Sequence, residues 1–213
     1  MADGNDVLVV VETEEGKPNG LAHEMLGLAR RLADDAGGSV AAVLFGDGVA
    51  DASADLIAHG ADKVFVADGA VFATYQAEAW MPDLVNIAND VDPAAILVGH
   101  SMLGADLAPR LAFRLQTAIA TGCEEMVADG DKLLMTRACF GGNAREVVSF
   151  NTTPAVATIK AKSQEALDAD SGRTGEVVVV QSCLDDSAMR ARVTGREREK
   201  TTGVRLENAD VVI

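Results

Sequence analysis

Two short stretches of the sequence hold residues whose types and spacing could grip a ligand. In "TRACFGGNAREVV", Gly141, Gly142 and Asn143 can turn through positive φ at little cost. Arg137 and Arg145 flank that turn with planar cationic forks suited to phosphate or carboxylate. The plainer reading is a glycine-rich hairpin with two surface arginines. The second stretch runs from Gly99 to Met126 and opens "GHSMLG". Its glycines permit close backbone approach, and the N–H groups of a following helix would face an anion. It lacks the G-x-G-x-x-G spacing of a dinucleotide fingerprint and the Gly-Lys-Ser/Thr ending of a phosphate loop, so a strand-to-helix joint is the plainer reading here too. Arg110 and Arg114 follow four residues apart, with Asp106 four before Arg110, a ladder that usually marks a solvated helix face. Pro109 either sits in the second turn of that helix or marks its start.

No stretch carries a catalytic centre. There is no Gly-x-Ser-x-Gly elbow, and no motif pairs two carboxylates. His23, His59 and His100 are about forty residues apart, without a His-x-x-x-His pair or an adjacent cysteine, so the spacing predicts no metal site. Cys123, Cys139 and Cys183 never form a C-x-x-C pair and read as core thiols.

The elements that must position these residues fall into two halves. From Val7 to about Leu115, short apolar runs ("VLVVV", "VAAVLF", "KVFVA", "AAILVG") alternate with longer amphipathic ones. Nearly continuous apolarity in a short run marks a strand buried on both faces. Between the runs, Leu21, Met25, Leu28, Ala29 and Leu32 recur at helical spacing before Gly37-Gly38. A shorter helix stops at Gly60, and "TYQAEAWMPDLVNIANDV" predicts a third. Strands separated by helices run parallel through right-handed crossovers. After about Gly122 the pattern changes to hairpins, with a turn at Asp129-Gly130, strands on both sides of Thr-Thr-Pro, and a last strand in "EVVVVQSC". The expected fold is therefore α/β, an open and mostly parallel sheet with helices on both faces, extended in the second half by antiparallel hairpin strands. At the chain end, Ala209–Ile213 ("ADVVI") reads as the opening of another buried strand.

Composition sets outer limits. With 213 residues, 48% of them hydrophobic, the chain can bury a full core. A net charge of -15 repels phosphate backbones and anionic lipid, so no nucleic acid partner is expected. No apolar run reaches the ~18–20 residues of a membrane span, and the N-terminus is unlike a targeting peptide. The expectation is a soluble, cytoplasmic protein without membrane insertion.

Taken together, "ILVGHSMLGADLAPRLAFRLQTAIATGCEEM", "LMTRACFGGNAREVVSFNTTPAVATIKAKSQEA" and "GVRLENADVVI" resemble, in order and spacing, the N-terminal domain of the electron transfer flavoprotein α subunit. The chain departs from that family's pattern at Ala138, where proline is usual, and at Arg145-Glu146, where apolar or small residues are usual. The resemblance implies an α/β domain over residues 1–190, then a linker and the first strand of a further FAD-binding domain over 191–213. It implies a heterodimer with a β subunit, and a main FAD site beyond Ile213, in that further domain. Of this chain's residues, Arg137, Gly141, Gly142 and Asn143 would touch the cofactor, and AMP is an implied ligand of the partner subunit. Electrons would pass from a dehydrogenase through the flavin to a quinone oxidoreductase or another acceptor, with no catalytic residue in this chain. The alternative is a free-standing adenine-nucleotide-binding module using the Gly99–Gly104 loop.

Overall fold

The computed structural model describes residues 4–130, 132–184, 189–191 and 193–195. In chain order its elements are β1 (Val7–Val11), a small hairpin of β2 (Thr13–Glu14) and β3 (Lys17–Pro18), α1 (Gly20–Ala36), β4 (Val40–Gly46), α2 (Ser53–Ala58) and β5 (Lys63–Asp68). There follow α3 (Ala77–Val91), β6 (Ala95–Gly99), α4 (Met102–Arg114), β7 (Ile119–Asp129), β8 (Lys132–Cys139), β9 (Ala144–Val148), β10 (Ala155–Ile159) and β11 (Glu176–Val179).

Among the described residues, nine strands form one sheet in the order β11-β5-β4-β1-β6-β10-β7-β8-β9. The strands from β11 to β7 are parallel, and the β7/β8 and β8/β9 pairs are antiparallel. The α/β class, the helices on both faces and the antiparallel extension all agree with the sequence. No helix among the described residues is long and apolar enough to cross a membrane.

The apolar runs explain the layering. In β1, Val7, Val9 and Val11 pack with α1 and α2, while Leu8 and Val10 point the other way, into the core beneath α3 and α4. β4 divides in the same manner, Val40, Ala42 and Leu44 against Ala41, Val43 and Phe45. A side-chain period of two sends successive residues to opposite faces, so a strand covered on both sides must be apolar at every position. Helix boundaries also follow local chemistry. Asn19 caps α1 by accepting from Ala22 N at 2.9 Å, and Gly37 ends it in the left-handed region.

Several expectations are corrected. β10 does not extend a hairpin; it inserts between β6 and β7, parallel to both. Its five residues are all buried, which alternating polar hairpin strands are not. β11 crosses to the far edge and pairs in parallel with β5. Of the two placements left open for Pro109, the one inside α4 holds, because Ser101 already caps that helix. Asp129 is the last residue of β7 and pairs with Lys132, so it is a strand residue rather than the first of the turn. Of the three cysteines only Cys123 is buried, and Cys183 is exposed. The strand expected over Ala209–Ile213 lies outside the described residues.

Helix α4 rests on the end of β6 with no space to spare. A Cβ on Gly104 would stand 1.8 Å from the Gly99 carbonyl oxygen, and backbone cannot give way as a side-chain tip can. Gly104→Ala is expected to cost about 2 kcal/mol or more through overpacking. A urea midpoint unchanged from the parent would contradict this contact.

Candidate functional site

Ligands in open α/β sheets settle outside the carboxyl ends of the strands where the winding direction reverses. Here the chain winds outward from β1 through β4 and β5, then returns to β6 on the other side of β1, so the crevice lies between β1 and β6. Glu12 follows β1, and Gly99, His100 and Ser101 stand at and after the end of β6.

The protein fills this crevice itself. Ser101 Oγ donates to Glu12 Oε1 at 2.6 Å and accepts from Gly104 N at 3.0 Å, so one hydroxyl both caps α4 and ties it to β1. A Cβ on Gly99 would lie 2.7 Å from Glu12 Oε1, so glycine makes room for the carboxylate. His100 is held sideways: its Nδ1 is 2.9 Å from Thr158 Oγ1, which also accepts from Gly122 N at 2.8 Å. The helix end that would cradle a phosphate instead faces a carboxyl group and a hydroxyl. Beside it lies an open cavity of about 360 Å³, whose lining includes Glu12, Asp47, Phe45, Tyr75 and Trp80. Phe45 stacks on Trp80 with ring centroids 4.6 Å apart. Tyr75 donates to Asp106 Oδ2 at 2.8 Å, and burial together with that carboxylate pushes the phenol upward.

The second stretch takes shape at the tip of a ribbon. Phe140, Gly141 and Gly142 make a tight turn between β8 and β9, all three at positive φ, and Asn143 Nδ2 closes it by donating to the Phe140 carbonyl at 2.8 Å. Arg137 is engaged by Glu146 and reaches Thr121 Oγ1 at 3.2 Å. Arg145 and Lys160 both pair with Glu124, at 3.4 and 2.9 Å. Lys160 first, by its hydrogen bond, and then both cations by charge hold that carboxyl below the usual range. The structure thus joins Arg137, Gly141, Gly142 and Asn143 on one ribbon, but turns the arginine toward a neighbouring strand. The main flavin site expected beyond Ile213 falls outside the described residues, and of the expected flavin contacts these four have a described position. The ribbon carries exposed apolar groups, with Phe140 84% and Val147 59% accessible. Arg110 pairs with Asp106 at 2.9 Å, in keeping with the ladder, and Phe113 on the same helix is also exposed. Neither Glu12 nor Thr158 stands out in the sequence. A carboxylate immediately after an all-valine strand end is the one available signal for the first.

Burial raises the Glu12 pKa against the opposing effect of the Ser101 hydrogen bond. Stability from such a group is full below its unfolded pKa and is lost as pH rises through the folded value. Glu12→Gln keeps an acceptor for Ser101 and removes the ionisation. It should therefore gain stability relative to the parent as pH rises from about 4 to 7. Parallel denaturation profiles over that interval would refute the assignment.

Both stretches lie within a segment matched by a known family. The family model of the electron transfer flavoprotein domain matches residues 7–184. The chain is 34% identical over 215 residues to the electron transfer flavoprotein subunit alpha of Thermoanaerobacterium thermosaccharolyticum, covering 100% of this chain and 65% of the relative. It is 32% identical over 216 residues to the subunit of the same name from Megasphaera elsdenii, covering 100% and 64%. A subunit of the lactate dehydrogenase (NAD+, ferredoxin) of Acetobacterium woodii is 30% identical over 211 residues, covering 97% and 50%. The chain spans just under two thirds of the length of the first two relatives. With its matched segment running from the first strand of the sheet to beyond the last, the chain belongs to the electron transfer flavoprotein family.

Proposed function

We propose that this chain forms the N-terminal α/β domain of an electron transfer flavoprotein α subunit, over residues 1–190, and acts as a scaffold in a heterodimer with a β subunit. The observation that carries this reading is full coverage of the chain by relatives named as that subunit. FAD is the redox cofactor of the assembly, held mainly by a domain beyond Ile213, and electrons pass from a dehydrogenase to a quinone oxidoreductase or another acceptor. The flavin performs the redox chemistry, while protein supplies position and electrostatics. AMP in the partner subunit belongs to the same reading.

The exposed ribbon supports a docking role. Phe140 projects from a turn held by its own hydrogen bond, and Val127 and Val147 add further apolar surface on β7 and β9. A rigid aromatic at the tip of a structured turn is a typical anchor for a partner's pocket. Arg137, Gly141, Gly142 and Asn143 are the residues of this chain assigned to the flavin, as a minor contact. Arg137 would have to leave Glu146 to make it. The self-filled β1/β6 crevice weighs against the alternative of a free-standing adenine-nucleotide module, whereas the neighbouring 360 Å³ cavity keeps it testable.

Coexpression with a β subunit should yield a heterodimer with hydrogen-exchange protection across residues 132–159. Phe140→Ser should weaken that association by roughly tenfold or more, as loss of an anchor does, while leaving the melting temperature of the free chain unchanged because the ring is exposed. A monodisperse monomer unaffected by the β subunit would refute the docking role. Residues 1–213 alone should bind FAD weakly in calorimetric titration, and submicromolar affinity would overturn the assignment of a minor contact. Copurified AMP or ATP in the isolated chain would favour the alternative.

A further inference from the structure

The fold gathers two of the three widely spaced histidines. His23 lies in the first turns of α1, and His59 follows α2. Their imidazoles stack with centroids 4.0 Å apart and planes 26° apart. Asp55, on α2, stands between them: Oδ2 is 2.8 Å from His23 Nε2, and Oδ1 is 3.2 Å from His59 Nδ1. One ligand atom from each residue lies within 4.8 Å of the other two. None of the three is fully exposed, with side-chain accessibilities of 22%, 42% and 15% for His23, Asp55 and His59.

We propose that His23, Asp55 and His59 form a binding site for a divalent transition-metal ion, of which zinc is the representative. Two imidazoles and one carboxylate make a borderline donor set, which suits zinc and its first-row neighbours rather than magnesium or calcium. Tetrahedral bonds of about 2.0–2.1 Å put neighbouring ligand atoms roughly 3.3 Å apart. The 2.8 and 3.2 Å separations between the rings and the carboxylate are near that spacing but involve different oxygens of Asp55, so the carboxylate must turn to offer one oxygen to the ion. For an ion to bind, the ring nitrogen facing the carboxylate must carry a lone pair, so each neutral imidazole holds its proton on the other ring nitrogen. The two nearly parallel rings must also turn inward so that their lone pairs converge. His59 Nδ1 gives up its 2.8 Å contact with the Asp55 carbonyl, an interaction within one helical turn. Three protein ligands leave a fourth position for water.

The ion would bridge α1 to α2, two helices that cover the same face of the sheet. Asp55 is the link between them, since it meets both rings with different oxygens. The site is remote in chemistry from the flavin and docking assignments and does not depend on them.

The test is zinc titration of the full chain in competition with a chromophoric chelator, in excess magnesium to occupy the acidic surface of a protein of charge -15. The expected result is one zinc per chain and a higher melting temperature with zinc. His23→Gln and His59→Gln should each weaken binding at least tenfold, and Asp55→Asn, which keeps the shape of the carboxylate, should do the same. Circular dichroism of the metal-free variants checks that they fold. Cys183→Ser, at the exposed thiol, should leave affinity unchanged. Unsaturable binding, affinity unaffected by the three substitutions, or loss on Cys183→Ser would overturn the proposal.

Discussion

The architecture depends on β10. Among the described residues this five-residue strand is the only link in the sheet between the doubly wound half and the antiparallel ribbon, since β7 meets the rest of the sheet through it. Its ladder to β6 runs from Ala155 opposite Ala95 to Ile159 opposite Gly99. All five side chains are buried, including the hydroxyl of Thr158. A buried hydroxyl is costly without partners, and Thr158 finds two, the ring of His100 after β6 and the amide of Gly122 in β7. One side chain therefore ties the loop after β6 to the neighbouring strand β7. The ribbon, with Phe140 at its tip, joins the sheet through the pairing of β7 with β10.

A second constraint operates where α4 meets the sheet. The helix approaches so closely that glycine is needed at 104, while glycine at 99 leaves room for the side chains of Glu12 and Leu21. Ser101 then serves as cap and tether together. At the opposite edge, Asp62 gathers Arg30 from α1, Arg173 before β11 and the amide of Val40. That carboxylate fastens the returning β11 segment to the start of β4 and to a helix. Both devices are side chains replacing backbone partners where elements begin or end.

Periodicity carries most of the fold. The strands and helices up to α4 follow from apolar runs and helical spacing because these are local signals, each readable within about fifteen residues. The order of strands in the second half is less accessible. "AVATI" has the unbroken apolarity of a central strand, yet the nearby Asp-Gly signal and the Thr-Thr-Pro turn suggest another hairpin. What places it between β6 and β7 is pairing with segments nearly forty or more residues distant. The sequence leaves the place of Pro109 open for another reason: a proline interrupts one hydrogen bond, and only the burial of Leu107, Ala108 and Leu111 shows that the helix continues across it. The ribbon arginines are legible as a cluster, but their partners Glu146, on the strand facing Arg137, and Glu124, two strands from Arg145, are set by strand pairing and not by a local signature. The histidine pair escapes for the same reason, being assembled by two helices from positions 23 and 59.

The Glu12–Ser101 closure has a consequence for how the chain persists in a cell. A nucleotide-binding fold with an open crevice is stabilised by its ligand, and it weakens whenever the ligand becomes scarce, because occupancy and folding are linked by mass action. A crevice stoppered by the chain's own carboxyl group breaks that linkage. The stability of this crevice then rests on the chain's own side chains and not on the supply of a metabolite.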